Sequence, residues 1–441
     1  MRTQIPALDE RQRRARTGWY AYDWANSVFT TSVTTVFFGP FLTGVARDAA
    51  APDGWLHPFG IAVRAESFYP FVVALSVLLQ VVVLPAVAGL ATRVDRGLLL
   101  GVLSSAGGLA TVCMYAMGDT GWLLGGALFV LATIALGASV TVADGYLPVL
   151  APPERRDRLS TQASAAGYLG GGLLLVANLA LYASYGRLGL SESAAVRLNL
   201  LSAGLWWLVF GLIAVRLLRG YGRPRGGAGA GAGPWRRLAV AARELRGRPA
   251  AVWFLAAFLL YNNGVQSMTS LVGTYAVEQL GIEQDQLVVA VLLLQFVAVG
   301  GAVAAGRLAE RYGGRAVLLG YVLLFVLTAT AGGLLPPGRF PLFLLVGCGV
   351  GIVLGGLYAL SRSVFSALVP AAVAGEAFAV FEMVNRCLGF LGPAAFGLVL
   401  QGTGSYRLAG TTILAFLLAG GLVLLAGRRA VREPAPEAVR G

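Results

Sequence analysis

Polar side chains spaced for one helix face, inside otherwise apolar stretches, are the residues of this chain with chemistry to offer. Asp23, Asn26, Ser27, Thr30 and Thr34 recur at helical intervals and so line one stripe. A carboxylate followed by an amide and three hydroxyls can hold a polar solute or pass a proton. Asn262, Asn263 and Gln266 form a second group. Side-chain amides both donate and accept hydrogen bonds, which suits a zwitterion. Gly264 among them can loosen the helix and expose carbonyls. Glu382 and Arg386 are spaced i, i+4 with the acid first, so they share a face and can pair. Asp144 and Arg362 lie towards the ends of apolar stretches, and Glu310 opens a loop after one.

Each group also has a plainer reading. Asp23 sits among Trp19, Tyr20, Tyr22 and Trp24, which fits a solvated carboxylate in an interfacial aromatic belt as well as a carboxylate facing a central cavity. The hydroxyls fit helix–helix packing, the amides a polar helix contact, and Glu382 with Arg386 a structural ion pair. A charge at the centre of a bilayer costs about 2.5–3.5 kcal/mol even on the lenient insertion scale, so a functional role is the default for such groups. The cavity placement of Asp23 is the expectation taken forward.

Catalytic chemistry finds no material. All 34 basic residues are Arg, which excludes a Walker-type phosphate loop and a Schiff-base lysine. His57 is the single histidine and falls in a loop, so no His-based metal site or catalytic triad is expected. Cys113, Cys348 and Cys387 fall in apolar stretches and imply no disulfide framework. We expect no enzyme, no catalytic residues, no metal and no cofactor. A polytopic membrane enzyme, the rival from another class, needs clustered carboxylates or histidines that are lacking here.

The elements that position these residues are apolar runs of membrane-spanning length. The chain is 57% hydrophobic and 12% charged, with mean hydropathy +0.73; an ordinary globular domain carries about 25% charged residues. A spanning helix needs about 20 apolar residues. Twelve such stretches fall near 18–45, 68–91, 98–117, 122–149, 159–182, 198–218, 251–278, 286–306, 315–335, 340–365, 377–401 and 405–427. No cleavable signal peptide is expected, because the first run is too long for a signal core.

Arginine is distributed unevenly. Arg47, Arg64, Arg187, Arg197, Arg339 and Arg407 fall in one alternate set of loops, Arg386 falls inside a span, and the other 27 fall in the opposite set with both termini. Positive charge concentrates on the cytoplasmic side, so both termini are expected there. The net charge of +13 is then a topology signal and not a nucleic-acid footprint. The expected layout is a cytoplasmic N-terminus at 1–17, a six-helix bundle at 18–218, a linker at 219–249, a second bundle at 251–427 and a cytoplasmic tail at 428–441. In the linker, Gly226–Gly233 reads as a flexible tether. Trp235, Leu238, Ala242 and Leu245 opposite Arg236, Arg237, Arg243 and Arg246 read as an amphipathic helix on the membrane surface.

The halves repeat each other. Ala91-Thr92-Arg93 with Asp95-Arg96 parallels Ala309-Glu310-Arg311 with Arg315. Pro148 and Gly170 match Pro370 and Gly392 at one offset. Asp23, Asn26 and Ser27 align with Asn263, Gln266 and Ser267. Duplicated halves with a site at their interface are a transporter signature. Gly347, Gly351 and Gly355, and Gly167 and Gly171, recur every four residues, as close helix packing requires.

The stretch Tyr22-Asp23-Trp24-Ala25-Asn26-Ser27 resembles the opening signature of the vacuole-effluxer branch of the major facilitator superfamily, which includes bacterial "unknown major facilitator" permeases. Leu147-Pro148 with Gly167 to Gly172, Tyr261 to Gln266, Ala359 to Ser363, and Glu382 and Arg386 before Leu391-Gly392-Pro393 extend the resemblance from Trp19 to about Gly397. Thr92, Asn263 and Tyr358 depart from the family's usual acid, Asp and Gln. The resemblance implies an all-α membrane fold of twelve helices in two pseudo-symmetric bundles, a monomer, and export of small solutes, with amino acids as cargo of some eukaryotic members.

The expectation is therefore a secondary transporter working by rocker-switch alternating access. It would move a small polar solute, amino acids first, out across the plasma membrane of a bacterium whose genome is rich in G and C. Asp23, Asn26, Ser27, Thr30, Asn262, Asn263 and Gln266 would contact the solute. Asp144, Arg362, Glu382, Arg386 and Glu310 would form a cytoplasmic gate. A desolvated carboxylate favours its protonated form, so Asp23 or Glu382 fits proton coupling, with sodium as the alternative. A drug or lipid exporter on the same fold remains the runner-up, and a transport subunit served by a separate ATPase a further rival.

Overall fold

The computed structural model describes residues 9–91, 93–118, 121–151, 153–221, 243, 245–369 and 374–427. The Gly/Ala run, all but Arg243, Leu245 and Arg246 of the expected surface helix, Thr92 and Pro370 lie outside them. So do the side chains of Pro148, Glu382 and Arg386.

The chain is a succession of long helices. Helix α1 runs Glu10–Val28, continues as a π-helical segment Phe29–Phe37, and ends as α2, Phe38–Asp48. A small hairpin pairs β1, Trp55–Leu56, with β2, Val63–Arg64. There follow α3 (Ala65–Leu90), α4 (Arg96–Cys113), α5 (Trp122–Asp144), α6 (Leu147–Leu150), α7 (Pro153–Ala183) and α8 (Glu192–Leu218). The second half holds α9 (Pro249–Glu278), α10 (Gln284–Tyr312), α11 (Gly314–Leu334), α12 (Phe340–Leu368), α13 (Ala374–Cys387), α14 (Leu391–Thr403) and α15 (Tyr406–Ala426).

Ten helices among the described residues are long and apolar enough to cross a membrane. Two of the stretches expected to span are not among them, for physical reasons. Helix α9 spends its middle on Asn262, Asn263 and Gln266. The run 377–401 is broken at 388–390 into α13 and α14, each too short alone. The first span differs from the expectation in starting earlier. Its helix begins at Glu10 under an Asp9 cap and runs unbroken for 39 residues to Asp48. Arg11 to Arg16 hide its start from any apolar scan, yet Asp23 lies four turns into it.

The halves pack by one plan. Helix α1 packs on α7 and α8, α4 on α5 and α8, and α3 on α5; correspondingly α9 packs on α14 and α15, α11 on α12 and α15, and α10 on α12. Small residues make these approaches possible. A Cβ at Gly355 would collide with the Ala298 carbonyl on α10, and one at Gly167 with the Ser27 hydroxyl on α1. Across the halves, α3 meets α14 and α13, α7 meets α10, and α9 meets the π segment and α2.

Candidate functional site

Five of the nine π-segment residues are Thr or Ser. Their hydroxyls bond back to their own helix: Thr31 donates to the Ser27 carbonyl at 3.0 Å and Thr35 to the Thr30 carbonyl, five residues back, at 2.8 Å. Such back-bonding competes with the regular ladder, and π geometry inside α-helices is frequent at functional sites. Here it leaves carbonyls for outside donors. The Tyr69 hydroxyl donates to Thr34 at 3.1 Å and to Ser270 of α9 at 3.0 Å. The Gln284 amide of α10 donates to Val36 at 2.8 Å.

These bonds belong to a seal at one end of the molecule, the end distal to the chain termini. A Cβ at Gly273 of α9 would collide with the Thr35 carbonyl, and one at Gly39 of α2 with the Thr274 hydroxyl. Arg47 at the end of α2 pairs with Glu278 at the end of α9 at 2.6 Å and with Glu66 of α3 at 3.6 Å. Gln401 of α14 accepts from the Arg64 backbone at 2.8 Å and donates to the Ala62 carbonyl at 3.1 Å, tying the hairpin down. Sequence reading missed this seal; the signal was present in Arg47, a charge set against the positive-side bias, and in Gly273.

The stripe on the first span leads from the seal towards the proximal end. Asp23 and Ser27 are partly buried, Asn26 is buried, Thr30 is exposed, and Thr34 is partly buried. Ser27 donates to the Asp23 carbonyl at 2.7 Å, while the Asn26 Nδ2 is buried with no hydrogen-bond partner. A buried donor left unpaired costs about 1–3 kcal/mol, so Asn26 is a group in want of an acceptor. Trp24 stacks on Trp206 with centroids 5.7 Å apart.

On α9 the three amides diverge in use. Asn262 is buried and donates to the Asn385 carbonyl at 3.2 Å. Asn263 is fully buried; its Nδ2 donates to Leu259 at 2.8 Å and its Oδ1 accepts from the Gly392 backbone at 2.9 Å. Both ends of that amide are spent, the Nδ2 within α9 and the Oδ1 on holding α9 to α14. Gln266 is partly buried beside Gly389. Ser267 donates to the Asn263 carbonyl at 2.8 Å, as Ser27 does to Asp23, which is the repeat seen as geometry. A Cβ at Gly392 would collide with the Ser267 hydroxyl, as one at Gly167 would with Ser27. Gly392 therefore plays the part of Gly167, whereas Gly170 packs on Trp24.

Two tyrosines repeat as well. Tyr22 donates to Ser139 at 2.7 Å in one half, and Tyr261 and Ser361 lie 2.7 Å apart in the other. A further buried network was not foreseen. Asn178 donates to Ser32 of the π segment at 3.2 Å and accepts from Ser202 at 2.9 Å, and Asn199 donates to its carbonyl at 3.3 Å.

Of the expected gate residues, Asp144, Glu310 and Arg362 sit towards the proximal ends of α5, α10 and α12, whereas Glu382 and Arg386 fall in the middle and last turn of α13. Asp144, Glu310 and Arg362 are exposed. The Arg362 guanidinium stands 5.9 Å from the ring centres of both Tyr358 and Phe378. The Glu382 and Arg386 side chains lie outside the described residues. Nearby, the break after α5 frees carbonyls that cations and an indole cap. Trp19 donates to Ala143 at 3.0 Å, Arg96 to Gly145 at 2.9 Å and Arg16 to Leu150 at 3.0 Å. Burial, with Asp95 adding to it, pushes the Tyr146 phenol among them up to about 12. Arginines read as topology signals thus also close a helix end, as cations do favourably at a C-terminus.

Comparison with known proteins agrees with this architecture. A family model described as "Vacuole effluxer Atg22 like" matches residues 11–432. The chain is 25% identical over 421 residues to the uncharacterized MFS-type transporter YxiO of Bacillus subtilis, covering 95% of each. It is 25% identical over 559 residues to autophagy-related protein 22 of Coccidioides immitis, covering 99% of this chain and 91% of that one. Its fold resembles the nucleoside transporter NupG with a TM-score of 0.71 at 13% identity, over 95% of this chain and 100% of that one.

Proposed function

The chain belongs to the vacuole effluxer Atg22-like family of multi-pass, major-facilitator-type membrane transporters and is not an enzyme; from that premise we propose that it is a secondary carrier of small polar solutes, amino acids first. It moves them out across the cytoplasmic membrane of a bacterium. The moving bodies are the bundles at 18–218 and 251–427, joined by the linker at 219–249, with the termini 1–17 and 428–441 in the cytoplasm. The distal end, sealed by Arg47, Glu278, Tyr69 and Gly273, then faces outward.

The observation that supports this reading is the union of a sealed distal end with a polar stripe below it. Helix α9 packs along the π segment and α2, the distal half of the first span. Asp23, Asn26, Ser27 and Thr30 occupy the proximal half or its border, with Asn262 and Gln266 at matching depth on α9. Asn26 offers an unspent donor, and Asp23 a carboxylate that suits either a solute ammonium or a coupling proton. Asn263 positions α9 against α14 and does not contact the solute. Opening of the seal and closure around Asp144, Arg362, Glu310, Glu382 and Arg386 would complete the alternating cycle. The protein works as a monomer.

Binding tests this directly. A solute held only by the folded state raises stability by about 2.7 kcal/mol at a hundred times its Kd. Zwitterionic amino acids should raise the thermal transition of the purified protein, and Asn26→Ala and Asn262→Ala should lose that rise. Stabilisation by apolar drugs or free lipids alone would move the assignment to an exporter of those compounds.

A further inference from the structure

Arg11, Arg14, Arg216 and Arg219 line one hollow together with Leu217 and Tyr221, a cavity of about 560 Å³ between the start of α1 and the end of α8. We propose that this hollow binds the phosphate of an anionic phospholipid headgroup and so clamps α1 to α8 at the membrane surface.

Four guanidiniums gathered in one place repel one another, and the lining holds no carboxylate among the described residues to offset them. The helix dipole explains only half of the cluster. Arg216 and Arg219 sit at the C-terminal end of α8, where cations are favoured, but Arg11 and Arg14 sit in the first turns of α1, where they are disfavoured. An anion between the two helix ends removes the conflict. The hollow is also partly fixed in shape. Arg11 Nη2 donates to the Gly220 carbonyl at 2.6 Å. Gly220 has φ +72°, a left-handed conformation that glycine takes without cost, and it turns the chain at the end of α8. Asp9 is committed to capping α1, where it accepts from the Arg11 backbone at 3.4 Å.

The ligand class follows from chemistry and position. The planar guanidinium fork matches phosphate oxygens bidentately. Both helix ends emerge at one membrane surface, since Arg11–Arg16 precede the first apolar residues and Leu217–Leu218 end the apolar run of α8. Leu217 and Tyr221 provide an apolar wall beside the cations, as a glycerol backbone and the first acyl carbons require; Tyr is enriched at that depth. Basic pockets between spanning helices are a recognised way of holding lipid headgroups. A free phosphate ion shares the charge chemistry but makes no use of the apolar wall.

Native mass spectrometry of the full-length protein in detergent tests the assignment, with phosphatidylglycerol and phosphatidylcholine titrated in parallel. Phosphatidylglycerol should bind at least tenfold more tightly. Arg14→Gln with Arg216→Gln should erase the preference, Arg14→Lys with Arg216→Lys should keep most of it, and Arg187→Gln at the opposite end should leave it intact. Millimolar inorganic phosphate should not displace the lipid. Equal binding of the two lipids by the wild type overturns the proposal, whatever the variants do. So does a preference that survives the double Gln change, or complete displacement by inorganic phosphate, which would leave an anion site with no lipid selectivity.

Discussion

Gly273 is the residue on which the distal seal closes most tightly, and its substitution gives the sharpest prediction. Its position faces the Thr35 carbonyl of the π segment so closely that even a Cβ would collide with it, and the obstacle is backbone rather than the end of a flexible side chain. Gly273→Leu must therefore hold α9 away from the first span or strain both. Overpacking of this kind costs about 1–3 kcal/mol. The cost falls on the sealed state alone, because the clash vanishes once the halves part at that end. A penalty of ~2 kcal/mol raises the ratio of open to sealed molecules about thirtyfold, taking a 1:99 population to roughly 1:3. With the three native cysteines replaced, spin labels at Pro52→Cys and Glu283→Cys report the distal separation by pulsed dipolar spectroscopy. The wild type should give mainly the short distance, and Gly273→Leu a second, longer one carrying about a quarter of the distribution. An unchanged distribution in a protein that still folds would show that this contact does not hold the seal.

Other perturbations follow from the same geometry. Arg47→Glu should weaken the seal through Glu278 and Glu66, and the swap Arg47→Glu with Glu278→Arg should restore part of it. Arg47 is about half exposed, so solvent screens the pair and the effect should stay near the 0–1 kcal/mol of surface ion pairs and shrink with salt in the same distance assay. Asn263→Ala should lower the thermal transition by the equivalent of about 1–3 kcal/mol, because it leaves the Gly392 N–H buried and unpaired; a change confined to solute affinity would argue for direct contact instead. Arg362→Glu should abolish flux with expression intact, since it removes the cation standing over Tyr358 and Phe378 at the proximal end; normal flux would remove that residue from the gate.

Much of the fold was legible because membrane physics leaves little choice. Apolar runs of the right length, loop arginines and a repeat offset point to two like halves, and the packing of α1 on α7 and α8 against that of α9 on α14 and α15 is that repeat made solid. The edges were less legible. Arg11–Arg16 masked the first turns of α1 because hydropathy cannot see a helix continuing into the aqueous face. The break in the span near Leu388 carries no proline at that point, only Gly389 beside Leu388 and Phe390. Asp23, Asn26 and the α9 amides could be picked out by polarity alone, but polarity does not say which amide is spent. Asn263 ends up tied to Gly392 across two helices, a pairing separated by 129 residues. The seal was invisible for the same reason: Arg47 and Glu278 lie 231 residues apart, and only the closed arrangement of the halves brings them together.

The most direct test of the carrier assignment is flux through the purified protein in liposomes, using a labelled amino-acid mixture with and without an imposed pH gradient, beside Asp23→Asn. Gradient-dependent movement of amino acids that Asp23→Asn loses is the expected result. The absence of any flux by protein shown to be folded would contradict amino acids as the cargo, and flux indifferent to both the gradient and Asp23 would contradict proton coupling through that carboxylate.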